Sequence, residues 1–382
     1  MAEKIVNNGI VFAYASNDAF FEIKKQLEKY FLYQTILIVD ENYEYGKQID
    51  NLKQNINCNF VVCHNIKQVD FSQNIDFVVA INDKSIFEIK QKCFENKIPY
   101  MVVLTKVASF SVCTDHVFDR DQKQVLTNKP FGIVLDKSQI FEKKKFICKA
   151  ILEISMSNFE ITQKNINNLF YGKKIDYDLM LDEKKSLDNL VLLFDKKNYD
   201  TKLLFDEICD IYVTYLIKKS NEEISLLEIL TFLYLKYDKQ IHDRFIETKY
   251  LYMQTLCLLQ TKFFAKYQSG YKDAINYQIH QKKLAFYGKN SDFLIKNLPD
   301  SKINFLLEQF QNKFIEYTNQ QNLFNEKIKN FVADTDIDFL FDLYNNVDKD
   351  IFVDMLSLEP TIYKEQNFLS LMFCLGLLNY SI

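Results

Sequence analysis

The sequence predicts an α/β domain built on a parallel sheet, followed by an all-helical domain. Three observations carry this. The first 140 residues alternate short β-branched apolar runs with helical runs, the pattern of repeated βα units. Several of those runs are apolar at successive positions, as in strands covered by helices on both faces. From about Phe141 the β-branched runs stop, and long stretches of 3.6-residue periodicity replace them. The boundary falls between residues 137 and 145, giving domains of 1–140 and 141–382. No internal repeat and no low-complexity linker interrupts the chain.

The elements follow in order. Ile10–Tyr14 reads as the first strand. Asn17–Tyr30 reads as an amphipathic helix, with Phe20, Phe21, Ile23, Leu27 and Phe31 on one side. Thr35–Asp40 (TILIVD) is a buried parallel strand, and ENYEYGKQIDNLKQN is a helix. Cys58–Cys63, Asp76–Ile81, Tyr100–Leu104 and Gly132–Leu135 are further strands, with a helix at Lys84–Asn96. In the second half the helical stretches are Phe146–Leu169, Thr201–Lys219, Ser225–Tyr237, Asp243–Tyr267, Ser301–Thr318, Ile337–Asn346 and Asn367–Leu378.

Composition removes several function classes. Average usage would give roughly 27 glycines; the chain of 382 residues has 7. The closest two are Gly270 and Gly288, so no GxG, GxxxxGK or GxSxG can form, and the P-loop, the standard dinucleotide fingerprint and the nucleophile elbow are excluded. Proline and arginine are scarce, while Lys, Asn, Ile, Phe and Tyr abound. That is the bias of an AT-rich genome, so the 34 Phe and 23 Tyr are core fillers and not a stacking surface. A net charge of −4 gives no footprint for nucleic acid. No apolar run of about 18 residues suggests a membrane span, and the N-terminus lacks the pattern of a signal peptide. Eight scattered cysteines, among them Cys63, Cys257 and Cys374 in apolar runs, read as reduced buried thiols of a cytoplasmic protein.

Four segments carry a resemblance. GIVFAYASNDAFFEIKKQL, TILIVDEN, DFVVAINDKSIFEIKQKCFENKIPYMVVLT and KPFGIVLDKSQIF occur in the order and spacing of the N-terminal domain of one superfamily. It comprises the iron-containing alcohol dehydrogenases, glycerol dehydrogenases, glycerol-1-phosphate dehydrogenases and 3-dehydroquinate synthases, and the chain resembles it over most of residues 9–141. The resemblance implies a Rossmann-like first domain and a helical metal and substrate domain, the dehydroquinate synthase-like architecture. It also implies NAD(P) and an Fe or Zn ion as cofactors, and a polyol or glycerol phosphate as substrate.

The sequence departs from the family where the chemistry sits. TILIVD ends at Asp40, beside the adenine ribose in the family. The family's glycine turn cradles the pyrophosphate, because only glycine lets the backbone come close to phosphate. Here it is Ile81-Asn82-Asp83-Lys84, without glycine, and Asp83 repels phosphate. The family's next Asp falls at Phe87, while Lys90 matches its lysine. In the cofactor loop Leu104 replaces Pro, Thr105, Ala108 and Ser109 match, and Ser111 stands where some members carry Asp. The family holds its metal with one Asp and two His. These fall near Glu153, near Ile229 beside Glu228, and near Glu247. His242, or His280, reaches the site only through a register shift.

Other candidates are bland. Cys58, Cys63 and His64 lack a second half-site, and the two cysteines have opposite parity on one strand. Asp115 and His116 are adjacent and diverge, with His116 expected in an exposed loop. The aromatic helix FIETKYLYMQTLCLLQTKFFAKY reads as core.

Three readings follow. In the first, the fold is kept while cofactor and metal sites decay, leaving a pseudoenzyme that binds NAD(P) and Fe or Zn weakly or not at all and serves binding or assembly. Its partners are then a small polyol or phosphorylated ligand, or a second copy of the chain. In the second, the chain is still an NAD(P)-dependent alcohol dehydrogenase with shifted ligands. In the third, it is an unrelated α/β-plus-helical protein. The retained fold signals and degraded sites rank the first highest.

Overall fold

A computed structural model describes residues 9–30, 35–40, 45–71, 74–81, 86–108, 112–118, 124–170, 201–220 and 245–268, with scattered positions in 225–234 and 323–330. The expected helices at Ser301–Thr318, Ile337–Asn346 and Asn367–Leu378 lie outside the described residues. So do Asn82, Asp83, Lys84, Ser109, Ser111, Ile229, His242 and His280.

Six parallel strands form one sheet: β1 (Phe12–Ser16), β2 (Thr35–Val39), β3 (Asn59–Cys63), β4 (Phe77–Ile81), β5 (Tyr100–Leu104) and β8 (Gly132–Asp136). Their order across the sheet is β1-β8-β5-β4-β2-β3. Between β5 and β8, β6 (His116–Phe118) and β7 (Gln124–Leu126) make a separate antiparallel hairpin. This corrects the loop expected at His116: a three-residue strand is too short to show a period of two in sequence. The helices described from end to end are α1 (Ala19–Tyr30), α2 (Gly46–Asn55), α3 (Ile86–Glu95), α4 (Lys143–Phe170), α5 (Thr201–Lys219) and α6 (Phe245–Gln268). The chain therefore has an N-terminal parallel, Rossmann-like sheet and a helical C-terminal region.

The core explains the alternation. Ile36 and Ile38 of β2, Phe77, Val79 and Ile81 of β4, Met101 and Val103 of β5, and Val134 of β8 all turn to one face. There they meet Phe20, Ile23 and Leu27 of α1 and Ile49 and Leu52 of α2. The i, i+3, i+7 spacing in α1 supplies the matching stripe. Cys58, Phe60 and Val62 pack against the same cluster, so Cys63 takes the opposite parity. Both cysteines are outside any disulfide and half-buried, not fully buried as expected, because β3 is the sheet's edge.

Two backbone details matter later. At Gly132 the ring of Phe12, its partner in register on β1, occupies the space a Cβ would fill. At the end of α3 the chain turns through Lys97 with φ of 55°, in the left-handed region. The amides of Lys97 and Ile98 donate to the carbonyls of Phe94 and Cys93, which makes a Schellman ending.

The chain divides into two compact units. The first comprises Met1–Ala150 and Tyr199–Glu223, so it includes α5, which packs against β1. The second comprises Ile151–Asn198 and Ile224–Ile382 and is helical at its described positions other than Ser225. Among the described residues no helix is long and apolar enough to cross a membrane.

Candidate functional site

In the first unit the chemistry-bearing residues gather at the carboxyl ends of the strands. The connection from β2 leads outward to β3, whereas that from β4 leads the other way, to β5. The sheet therefore has its topological switch point between β2 and β4, where open α/β sheets place a ligand crevice. Asp40 directly follows β2 and Ile81 is the last residue of β4.

Asp40 is buried, and its polar atoms bond within the fold. Its amide donates to the carbonyl of Cys63 at 3.0 Å, its carbonyl lies 2.5 Å from His64 Nδ1, and its Oδ2 accepts from the amide of Tyr45 at 3.0 Å. Tyr45 precedes the first residue of α2 and is fully buried against Phe20, with ring centroids 5.0 Å apart. Its hydroxyl donates to Asp136 Oδ2 at the end of β8. Asp136 Oδ1 accepts from the amide and hydroxyl of Ser138 at 3.0 and 2.6 Å.

Lys90 sits on α3 with its side chain fully buried, and its Nζ donates to the carbonyl of Thr114 at 2.6 Å. Burial pushes its amine down to about 7, although Cys113 and Asp115 pull in the other direction. Thr105 is half-buried just past β5. The loop it begins is fastened by Tyr212 of α5, whose hydroxyl accepts from the amide of Ala108 at 3.1 Å and donates to its carbonyl at 3.2 Å.

The second unit holds an ionic cluster that the sequence reading did not foresee. Lys249 of α6 is fully buried, and its Nζ lies 2.9 Å from Glu153 Oε1, 3.1 Å from Glu160 Oε1 and 3.5 Å from Glu228 Oε1. Glu153 and Glu160 are seven residues apart on α4, two turns, so they share a face. Glu228 is placed by a capping box. Ser225 Oγ accepts from the amide of Glu228 at 3.2 Å, and Glu228 Oε2 accepts from the amide of Ser225 at 3.5 Å. The hydroxyl of Ser225 also donates to Glu160 Oε1. Burial alone would pull the ammonium of Lys249 down, but the three carboxylates outweigh it and raise it well above the usual lysine range.

Of the positions assigned to metal ligands, Glu153 thus meets Lys249. Glu247 is buried at the start of α6, two residues from Lys249 and about 200° around the helix from it. Among the described residues no group of three or more His, Cys, Asp or Glu is disposed to hold a metal ion. The donor set around Lys249 is all carboxylate, with contact lengths suited to N–H···O bonds, whereas oxygen ligands of divalent ions stand at roughly 2.0–2.6 Å. These residues as arranged do not fit an Fe or Zn centre. The missed signal was a lysine amid the apolar first turns of α6; sequence spacing did not say which carboxylates it would meet.

No protein-family model and no curated protein matches the chain. Solved structures do. A 1,3-propanediol oxidoreductase superposes with a TM-score of 0.55 at 10% identity, over 95% of this chain and 97% of that one. Sulfoacetaldehyde reductase from Bifidobacterium kashiwanohense, in complex with NAD+, gives 0.54 at 12% identity over 98% of both chains. An iron-containing alcohol dehydrogenase from Corynebacterium glutamicum gives 0.53 at 10%, over 96% of this chain and 94% of that one. At these identities the likeness shows the fold: the chain has the two-part architecture of these dehydrogenases and reductases.

Proposed function

We propose that the chain is a divergent member of the iron-containing alcohol dehydrogenase superfamily that keeps the architecture, has given up hydride transfer, and acts by binding or assembly. The observation that carries this reading is the ion cluster at Lys249. Metal-assisted hydride transfer needs a Lewis acid with an open position for the substrate oxygen. An ammonium whose three N–H groups face three carboxylates offers no such position.

The nucleotide side supports the same reading. The sequence Asn82-Asp83-Lys84 has no glycine, the residue that close phosphate approach needs. Asp40 Oδ2 takes the Tyr45 amide, and Lys90 serves the Thr114 carbonyl. The ligand that the resemblance implies is a small polyol or phosphorylated molecule, and the partner for assembly is a second copy of the chain.

Calorimetric titration with NAD(H) and NADP(H) tests the proposal, and the expected result is no saturable binding in the micromolar range. Micromolar affinity for either nucleotide supports the second reading, a still-active NAD(P)-dependent alcohol dehydrogenase with shifted ligands. That reading draws on the β2/β4 switch point, which keeps the crevice such sheets use for nucleotides.

A further inference from the structure

We propose that the ammonium of Lys249 is the resident cation of the helical unit, carried by the chain in place of the divalent ion that the fold implies. It deepens the reading above, which rests on the same cluster, but it concerns the cation and not the nucleotide.

The argument starts from the count of groups. An ammonium has three N–H donors and no acceptor. Lys249 donates to Glu153 Oε1 and Glu228 Oε1 and pairs ionically with Glu160 Oε1; these carboxylates come from α4 and from the helical positions that follow Ser225. The cluster thus ties three separate stretches of chain, the third being α6, through one central cation. That is the structural task of a metal ion. The contacts have the length of hydrogen bonds, and all three carboxylates belong to residues that are themselves buried.

The donor chemistry makes the substitution reversible in principle. The ammonium is surrounded by carboxylate oxygens, the donors that a hard dication also takes. Oxygen donors of this kind suit Mn²⁺, Mg²⁺ or Ca²⁺ and give little preference for softer ions. While Lys249 is present, its stem and ammonium fill the centre. Shortening it to alanine removes the tethered charge and leaves the carboxylates around a vacated space.

The experiment compares wild-type protein with Lys249→Ala and with the double variant Glu153→Gln/Lys249→Ala. Thermal unfolding is followed with EDTA and with millimolar Mn²⁺, and metal content is measured after dialysis. The wild type should retain no stoichiometric metal, and its midpoint should not move with EDTA or Mn²⁺. Lys249→Ala should have a lowered midpoint that rises with Mn²⁺ concentration, and should retain about one Mn²⁺ per chain, as ligand linkage requires. The double variant should bind Mn²⁺ at least tenfold more weakly.

A wild type that releases a bound metal to EDTA with a fall in midpoint overturns the proposal, whether or not the variants fold. So does a Lys249→Ala protein that folds without taking up Mn²⁺, or one that stays unfolded with and without it. A nucleotide titration that failed the reading above would leave all of these outcomes unchanged, so the two failures are separable.

Discussion

The hydroxyl of Tyr45 donates a hydrogen bond of 3.1 Å to the buried carboxylate of Asp136, joining the start of α2 to the end of β8. In the sheet β5 and β4 lie between β8 and β2, so the phenol reaches across the carboxyl end of two strands. Tyr45→Phe keeps the ring against Phe20 and removes this bond. Because the acceptor is a buried carboxylate, the expected loss is about 1–3 kcal/mol. Urea unfolding of the variant measures it, and an unchanged midpoint would mean that the bond contributes nothing net.

Gly132→Ala forces a methyl group into the Phe12 ring. That ring is fixed between Tyr14 and Phe131, at centroid distances of 5.7 Å from each, so it has little room to yield. Overpacking of this kind costs about 1–3 kcal/mol. Phe12→Leu has its own cost, but Gly132→Ala added to it should cost less than it does in the wild-type background. Strict additivity in the double-mutant cycle would locate the strain elsewhere.

Lys97 holds a left-handed backbone at the close of α3, where glycine is the usual residue. Lys97→Gly relieves the Cβ penalty of that conformation, of order 1–2 kcal/mol, and adds chain entropy to the unfolded state. The net expectation is a stabilisation of about 0.5–1 kcal/mol, read as a raised urea midpoint. A lowered midpoint would show that the lysine side chain is holding more than the backbone does.

Lys90 makes stability depend on pH. Burial lowers its folded value from 10.5 to about 7, so between those values the unfolded chain binds the extra proton. Stability therefore rises with pH across that window, by at most about 1.4 kcal/mol per unit, and this group adds no slope below it. Urea unfolding at pH 7, 8 and 9 should show wild type gaining on Lys90→Met as pH rises. A difference that stays flat with pH rules this out.

Strands β2, β4, β5 and β8 were legible because covered strands need apolar residues on both faces, and TILIV, FVVAI, YMVVL and GIVLD supply them. Strand β1 sits two residues later than its apolar run suggested, since Phe12 in register with Gly132 sets the pairing. The capping box was also local: Ser225 and Glu228 stand three apart where the periodic stretch begins. The ion cluster was not local. Lys249 meets partners 21 and 96 residues away along the chain, and nothing in the spacing of Glu153, Glu160 and Glu228 distinguishes them from surface acids. Lys90 matched a motif residue, yet only the fold shows its amine turned to the Thr114 carbonyl.

The membership of α5 in the first unit has a consequence for biosynthesis. Among the described residues β1 is the first strand to be made, yet it pairs only with β8, the last of the sheet, and α5 covers it from residues 201–219. The edge of the sheet therefore stays unfinished until more than half of the chain has left the ribosome, an exposure that long-range pairing always entails. A fragment ending near Ala150 would emerge without its cover. The sheet is thus no portable cassette: a gene fusion that took only the first 150 codons would inherit strands with one face bare.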